Sequence, residues 1–278
     1  MHQIQNERQA KILKALGTYK FLTYEQMIRL GIGKHSSNLS TEFKMLMERR
    51  KPLASKIPNR IITIPAKHFL TKYGKDFLVD TFDWNESQVK YLKKNPEKDT
   101  QDSKHRTTTI DCHIELNLCC QRDGVELLFC DAYFDMVGNN RMNRNLKSKT
   151  AILWNEKESI KADLVFILLT SKQKELYFLE IENGNDTKKA VEKCVNHGKA
   201  ILLGSANKKY EFKSGYRTLW IFENKSTMTN TIKRLNENPF FKNLSEYFLF
   251  KTTDSIASEN FFSNWQNVKA QKRKLFYT

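Results

Sequence analysis

The chain has 278 residues, with 47 Lys and Arg against 31 Asp and Glu, for a formal net charge of +16. Hydrophobic residues make up 40% of it, enough to build a core and too many for a chain disordered throughout. The longest purely apolar run, Leu164-Val165-Phe166-Ile167-Leu168-Leu169, is far short of the roughly 20 residues a bilayer helix needs. The positive excess is therefore expected to meet phosphate rather than lipid. Met1 to Ala10 is polar and holds no apolar leader core. The five cysteines (Cys112, Cys119, Cys120, Cys130 and Cys194) are odd in number and form no Cys-x-x-Cys pair. They read as reduced, buried thiols in a cytoplasmic protein, not as a disulfide framework or a zinc ribbon.

In chain order, Ile12, Leu13 and Leu16 give a first helical stripe, expected to end at Gly17. Thr23 is placed to cap a second helix carrying Met27, Ile28 and Leu30, which Gly31 terminates. After the turn Gly33-Lys34-His35-Ser36, a third helix is expected from about Ser37 to Arg50. Its inner face would carry Leu39, Phe43, Leu46 and Met47. The outer face would show Asn38, Ser40, Thr41, Lys44, Arg49 and Arg50. Two extended runs, 53–57 and 60–64, flank Pro58-Asn59 as a hairpin turn, and 68–74 would begin a closing helix. This order resembles a winged helix-turn-helix. That fold puts its third helix in the major groove and its wing on the backbone. The resemblance implies duplex DNA as partner and Lys34, Asn38, Thr41, Lys44, Arg49 and Arg60 as the contacting residues.

The polar stretch from Lys93 to Lys104 reads as a linker. It divides the chain into an N-terminal domain at 1–82, a linker at 83–104 and a second domain at 105–278. The second domain alternates as α/β around a mixed sheet. A helix is expected over 105–121, strands over 125–133, 161–169 and 175–182, and a helix over 187–203. A strand over 218–222, a helix over 226–235 and a late strand over 247–250 follow.

Asp163 opens an apolar strand, and a tight turn leads to Leu176-Tyr177-Phe178-Leu179-Glu180-Ile181-Glu182. Side chains alternate along a strand, so Glu180 and Glu182 project to one side, and a hairpin would bring Asp163 beside them. So much buried negative charge needs a cation, and hard carboxylate oxygens suit Mg2+ or Mn2+. Asp163 followed by Glu180-Ile181-Glu182, on adjacent strands before a lysine-bearing helix, resembles the restriction-endonuclease-type PD-(D/E)XK core. That pattern ends in acid-x-Lys, and Glu182 stands here in place of the lysine. Lys189 and Lys193, four apart on one helix face, are the candidates to replace it. His105 and Glu115, on the first helix of this domain, are further candidates, since related nucleases often supply an acid from that helix.

Over nearly the whole chain, the winged-helix start, His105, Ala-Asp-Leu-Val-Phe and Phe-Leu-Glu-Ile-Glu-Asn-Gly together resemble the replication-relaxation family, which includes MOBC-class relaxases of mobilisable plasmids. The resemblance implies metal-dependent nicking at a plasmid transfer origin, with Asp163, Glu180 and Glu182 as the acidic site and accessory mobilisation proteins as further partners. A rival class is a DNA-binding replication or transcription regulator with an inactive nuclease fold, which the Glu-for-Lys change favours. The absence of a His-x-His pair argues against a histidine-triad tyrosine relaxase, though a tyrosine nucleophile stays open. The absence of Gly-x-x-x-x-Gly-Lys-Ser/Thr argues against a P-loop helicase.

If charge drives association, duplex affinity falls at least about 100-fold as salt rises from about 50 to about 200 mM, through counterion release. Fluorescence anisotropy at several salt concentrations reads this directly, and a flat response would refute charge-driven binding.

Overall fold

The computed structural model describes residues 6–57, 65–92, 102–138, 147–155, 158–170, 173–212, 215–258 and 260–276. The chain divides into two compact units, Met1–Ile114 and Glu115–Thr278. Among the described residues no helix is long and apolar enough to cross a membrane.

The first unit opens with α1 (Glu7–Tyr19), whose first turn is capped by Asn6 accepting from the Gln9 amide at 3.0 Å. Ile12, Leu13 and Leu16 are fully buried, as their spacing predicts. Gly17 does not end this helix. It lies inside it, at a point where a Cβ would meet Leu78 Cδ1 at 2.7 Å. The helix ends instead at Lys20, whose φ of 71° breaks the ladder. A reciprocal capping box between Thr23 and Gln26 starts α2 (Tyr24–Arg29). The third helix, α3 (Ser36–Met47), buries Leu39, Phe43 and Leu46, stops three residues before the expected end and leaves Met47 only half-buried.

Beyond it, β1 (Ala54–Lys56) pairs antiparallel with β2 (His68–Leu70). The second extended run, 60–64, and the turn Pro58-Asn59 lie outside the described residues. The strand that pairs with β1 begins where a helix was expected. Residues 68–70 are extended because His68 bonds in both directions with the Leu22 backbone and pairs with Lys56, outweighing local helical preference. The closing helix, α4 (Lys72–Phe82), starts after Thr71, which caps it through the Gly74 amide. A 3-10 turn at Glu86–Gln88 follows, and residues 93–101 of the expected linker lie outside the described residues. The next helix, α5 (Ser103–Asp123), contains the division between the units.

The second unit is built on a mixed sheet. Its strands are β3 (Glu126–Ala132), β8 (Leu164–Leu169), β9 (Lys174–Glu182), β10 (Arg217–Phe222), β11 (Phe248–Thr252), β12 (Trp265–Asn267) and β13 (Lys272–Arg273). They lie in the order β13-β12-β11-β10-β9-β8-β3. Two small ribbons fall between β3 and β8: β4 (Met136–Val137) with β5 (Lys147–Ser148), and β6 (Ala151–Leu153) with β7 (Ser159–Lys161). The strand expected over 161–169 is therefore two. Lys161 belongs to the β6–β7 ribbon, and the chain breaks at Ala162-Asp163 before entering the main sheet. β3, β8 and β9 run antiparallel in turn, whereas β9, β10 and β11 are parallel.

The parallel steps require helical crossovers, supplied by α6 (Thr187–Leu202) with the short α7 (Asn207–Tyr210), and by α8 (Lys225–Glu237). Ala190, Cys194 and Ile201 of α6 and Met228, Ile232 and Leu235 of α8 share one core with Val165, Phe178, Trp220 and Phe222. A short α9 (Thr253–Ser258) follows β11, and β12 and β13 extend the sheet beyond the last strand expected from the sequence. All five cysteines are buried and free of disulfides.

His68 gives the first unit a built-in acid sensitivity. Its ring is 2% exposed, lies 4.4 Å from Tyr24 and 4.2 Å from Phe43 between centroids, and meets the Leu22 carbonyl at 3.3 Å. Burial, aided by Lys56 and opposed by the Leu22 bond, lowers its pKa from 6.5 to about 4. The unfolded chain therefore binds the proton first. The stability contributed by the neutral ring is whole above the unfolded value of 6.5 and is lost as pH falls towards 4. Replacing His68 with Phe should flatten the acid limb by up to about 1.4 kcal/mol per pH unit in this window. Urea unfolding from about pH 7.5 to about pH 4.5 measures it, and parallel wild-type and variant curves would refute the assignment.

Candidate active site

Three buried acids lie where β8 begins and β9 ends. Glu180 and Glu182 are two apart on β9, so the pleat sends both to the α6 side with Phe178. The β8–β9 ladder ends with Leu164 against Leu179, and Asp163, just before it, donates its amide to the Leu179 carbonyl at 2.9 Å. Asp163 thus lies beside the end of β9 that carries Glu180 and Glu182. They are 7%, 4% and 9% exposed for Asp163, Glu180 and Glu182.

Each carboxylate is engaged. Asp163 Oδ2 accepts from the Ile181 amide at 2.7 Å, which locks the end of β9 to the start of β8. Glu180 Oε1 lies 2.9 Å from His197 Nε2. Glu182 Oε1 accepts from Lys193 Nζ at 2.5 Å, and Glu180 Oε2 is 3.9 Å from the same ammonium. Lys193 and His197 are four apart, one turn on α6, and so reach the sheet together. The helix is started by Asp186, whose side chain accepts from the Lys189 amide at 3.0 Å.

The electrostatics separate the two bases. Burial lowers the pKa of Lys193, but Glu180, Glu182 and Asp163 together outweigh it, and the net shift is upward. The ammonium is therefore held charged. Burial drives His197 down to about 3, with Lys193 adding to the effect and Asp163 opposing it. Its contact with Glu180 is thus a hydrogen bond from a neutral imidazole, not an ion pair. The other ring nitrogen, Nδ1, lies 3.2 Å from the Tyr216 hydroxyl, which donates to the His197 carbonyl at 3.4 Å.

The other residues singled out in the sequence are dispersed. Lys189 is exposed, and its backbone amide donates to the Asp186 cap. His105 and Glu115 are both half-buried on α5, His105 in the first unit and Glu115 as the opening residue of the second. In the first unit, Lys34, Asn38, Thr41 and Lys44 are exposed, with the Thr41 hydroxyl turned back to the Ser37 carbonyl at 3.2 Å. Arg49 is half-buried and bonded to Gln9 Oε1 at 3.2 Å, so it braces α1 against α3. Arg60 lies outside the described residues. Sequence reasoning passed over His197 and Tyr216. The spacing Lys193-x-x-x-His197 was a usable signal for the first, whereas Tyr216, just before β10, had none.

Among the described residues, no group of three or more His, Cys, Asp or Glu side chains is arranged to hold a metal ion. The cation site expected of Asp163, Glu180 and Glu182 is thus not laid out, and the Lys193 ammonium supplies the counter-charge to Glu180 and Glu182. Comparison with protein-family models, with curated proteins and with solved structures finds no match.

Lys193→Met removes the counter-charge and is expected to cost about 1–3 kcal/mol, since two buried acids lose their partner while part of the lysine is solvated. Lys189→Met, on the exposed side, should stay within about 0.5 kcal/mol of wild type. Denaturant unfolding of both variants checks the contrast. Equal stabilities would show that Lys193 does not neutralise the cluster.

Proposed function

We propose that the protein is a divalent-metal-dependent DNA nicking enzyme of the relaxase type, acting on duplex DNA at a plasmid transfer or mobilisation origin. In this reading a winged helix-turn-helix precedes a PD-(D/E)XK-like core. The observation that carries it is the seating of Lys193 against Glu180 and Glu182, with Asp163 bonded to the Ile181 amide between them. On this reading Lys193, from the following helix, would take the part of the lysine that Glu182 displaces from the strand motif. The order of three helices, a two-stranded ribbon and a closing helix in the first unit supports the DNA-binding half. So do the exposed Lys34, Asn38, Thr41 and Lys44, together with the net charge of +16.

The Mg2+ or Mn2+ of this reading would have to be taken by Asp163, Glu180 and Glu182, which as they stand are not arranged to hold one, and it would supply Lewis-acid charge at the scissile phosphate. Lys193, kept protonated by its neighbours, opposes the extra negative charge that develops on that phosphate. The Ile181 amide fixes Asp163, so the acid on β8 keeps its register with those on β9.

A second reading, a non-catalytic DNA-binding replication or transcription regulator, is favoured by one observation. Lys193 already neutralises the acids internally at 2.5 Å and 3.9 Å. Supercoiled plasmid carrying a mobilisation origin separates the two. With Mg2+ or Mn2+ the enzyme should yield open circles, chelation should stop it, and Asp163→Asn, Glu180→Gln, Glu182→Gln and Lys193→Met should each lose about 100-fold or more. Tight duplex binding with no nicking in either metal would establish the regulator instead.

A further inference from the structure

We propose that the cleft where β9, β10 and β11 begin is a separate binding site, which takes a nucleotide through a phosphate monoester and an aromatic base. It lies at the end of the sheet away from the acidic cluster, since Lys174 opens β9 and Glu182 closes it. The inference does not rest on the nuclease reading.

The three strands are parallel, so their first residues come together at one end. Lys174 of β9 and Arg217 of β10 stand there with the 3-10 turn Ser245–Tyr247 that leads into β11. Arg273 of β13 and the following Lys274 join them. Together they line a cavity of about 430 Å³, all of it within the second unit. Small-molecule sites typically run from roughly 300 to 1,000 Å³.

Both acids on its wall are already engaged. Glu175, 8% exposed, accepts from the Tyr177 hydroxyl, from Gln173 Nε2 at 3.2 Å and from Arg217 Nη2 at 3.0 Å. Glu246 is clasped by Arg273, whose Nε and Nη2 lie 2.8 and 3.1 Å from its oxygens, and Asn267 donates to it at 2.7 Å. Each pair cancels in charge and fixes an arginine in place. Arg217 Nη1 also donates to the Leu275 carbonyl, so that guanidinium is held ready for an anion. The exposed ammoniums of Lys174 and Lys274 have no ion-pair or hydrogen-bond partner among the described residues. They are the surplus charge of the cavity. One phosphate monoester, at about −1.5 to −2 near neutral pH, matches them. A backbone phosphodiester, with a single charge, would leave one ammonium unmatched.

The rest of the wall is apolar. Phe212 and Tyr247, both half-buried, line it with Leu176 and Leu249. Tyr247 is held in position, because its carbonyl accepts from Thr218 Oγ1 at 3.1 Å and a Cβ at Gly215 would meet its Cε1 at 3.2 Å. Inorganic phosphate would leave this surface uncovered. A nucleobase covers it, since every base presents a π-face to such rings. A phosphate monoester joined to a base occurs on a free nucleoside monophosphate and at the 5′ end of a nucleic-acid strand, and the recognising chemistry is the same for both.

The test is titration calorimetry of the full chain with AMP, adenosine, ribose 5-phosphate and a trinucleotide in 5′-phosphorylated and 5′-hydroxyl forms. Adenosine and ribose 5-phosphate should each bind at least about 10-fold more weakly than AMP, one lacking the phosphate and the other the base. Changing Lys174 and Lys274 together to Gln, both on the surface, should weaken AMP about 10-fold or more. The same pair of changes at Lys225 and Lys233 of α8 should leave it within about 2-fold. A phosphorylated trinucleotide that outbinds both AMP and its own 5′-hydroxyl form would make the strand end the source, and the reverse order the free nucleotide. Failure of both AMP and the phosphorylated trinucleotide to bind at millimolar concentration would overturn the inference. So would ribose 5-phosphate binding as well as AMP, or equal losses in the two lysine pairs, which would mark bulk charge alone.

Discussion

Three carboxylates are withdrawn from water where β8 begins and β9 ends, and the second unit is arranged around that buried charge. A single ionised carboxylate taken out of water costs several kcal/mol unless charge and hydrogen bonds replace its hydration. Here the replacements come from three directions. The Ile181 amide serves Asp163, the His197 imidazole serves Glu180, and the Lys193 ammonium serves Glu182 with Glu180. The last two lie on α6, so the helix must cross the sheet with Lys193 and His197 facing β9. The Asp186 cap sets where that helix starts, and the close approach of Gly198 to Phe240 sets how near it lies. The acids thus fix the helix as much as the apolar core of Ala190, Cys194 and Ile201 does.

The first unit meets the same problem on a smaller scale. Glu42 of α3 is 7% exposed and faces inward, where Asn6 and Gln9 donate to it at 3.0–3.1 Å and Arg8 stands 3.6 Å away. Arg49 reaches Gln9 from the far end of α3. These polar ties, with Leu39, Phe43 and Leu46, fix which side of α3 packs on α1. The side carrying Asn38, Thr41 and Lys44 is thereby left to solvent. On the proposed reading this is the face offered to a groove, and its exposure follows from the buried acid as well as from the apolar stripe.

The cluster around Lys193 sets the terms on which a metal could act. An ammonium between acids is a cation site satisfied from within, and a divalent ion would compete for the same oxygens. The positive charge comes from α6, and on the proposed reading the same charge would stand beside a phosphate. On that view the substitution of Glu182 for a strand lysine adds an acidic ligand without removing the lysine's chemistry.

Much of this was legible in the sequence because it depends on local chemistry. The capping box at Thr23 and Gln26, the stripe of Ile12, Leu13 and Leu16, and the alternation that sends Glu180 and Glu182 to one face need only backbone geometry and residue type. Gly17 misled because a glycine that ends a helix and one that admits a neighbouring side chain look alike in one dimension, and Leu78 decided between them. His68–Leu70 misled for a related reason. Its partners, Leu22 and Ala54–Lys56, are distant in sequence, and pairing with them outweighed local preference. The register of β8 on β9, the selection of Lys193 over Lys189, and the recruitment of His197 and Tyr216 to Glu180 belong to tertiary structure alone. Each depends on how close two separately formed elements come, and a hydrogen bond or ion pair is decided within a few tenths of an ångström that no sequence pattern specifies.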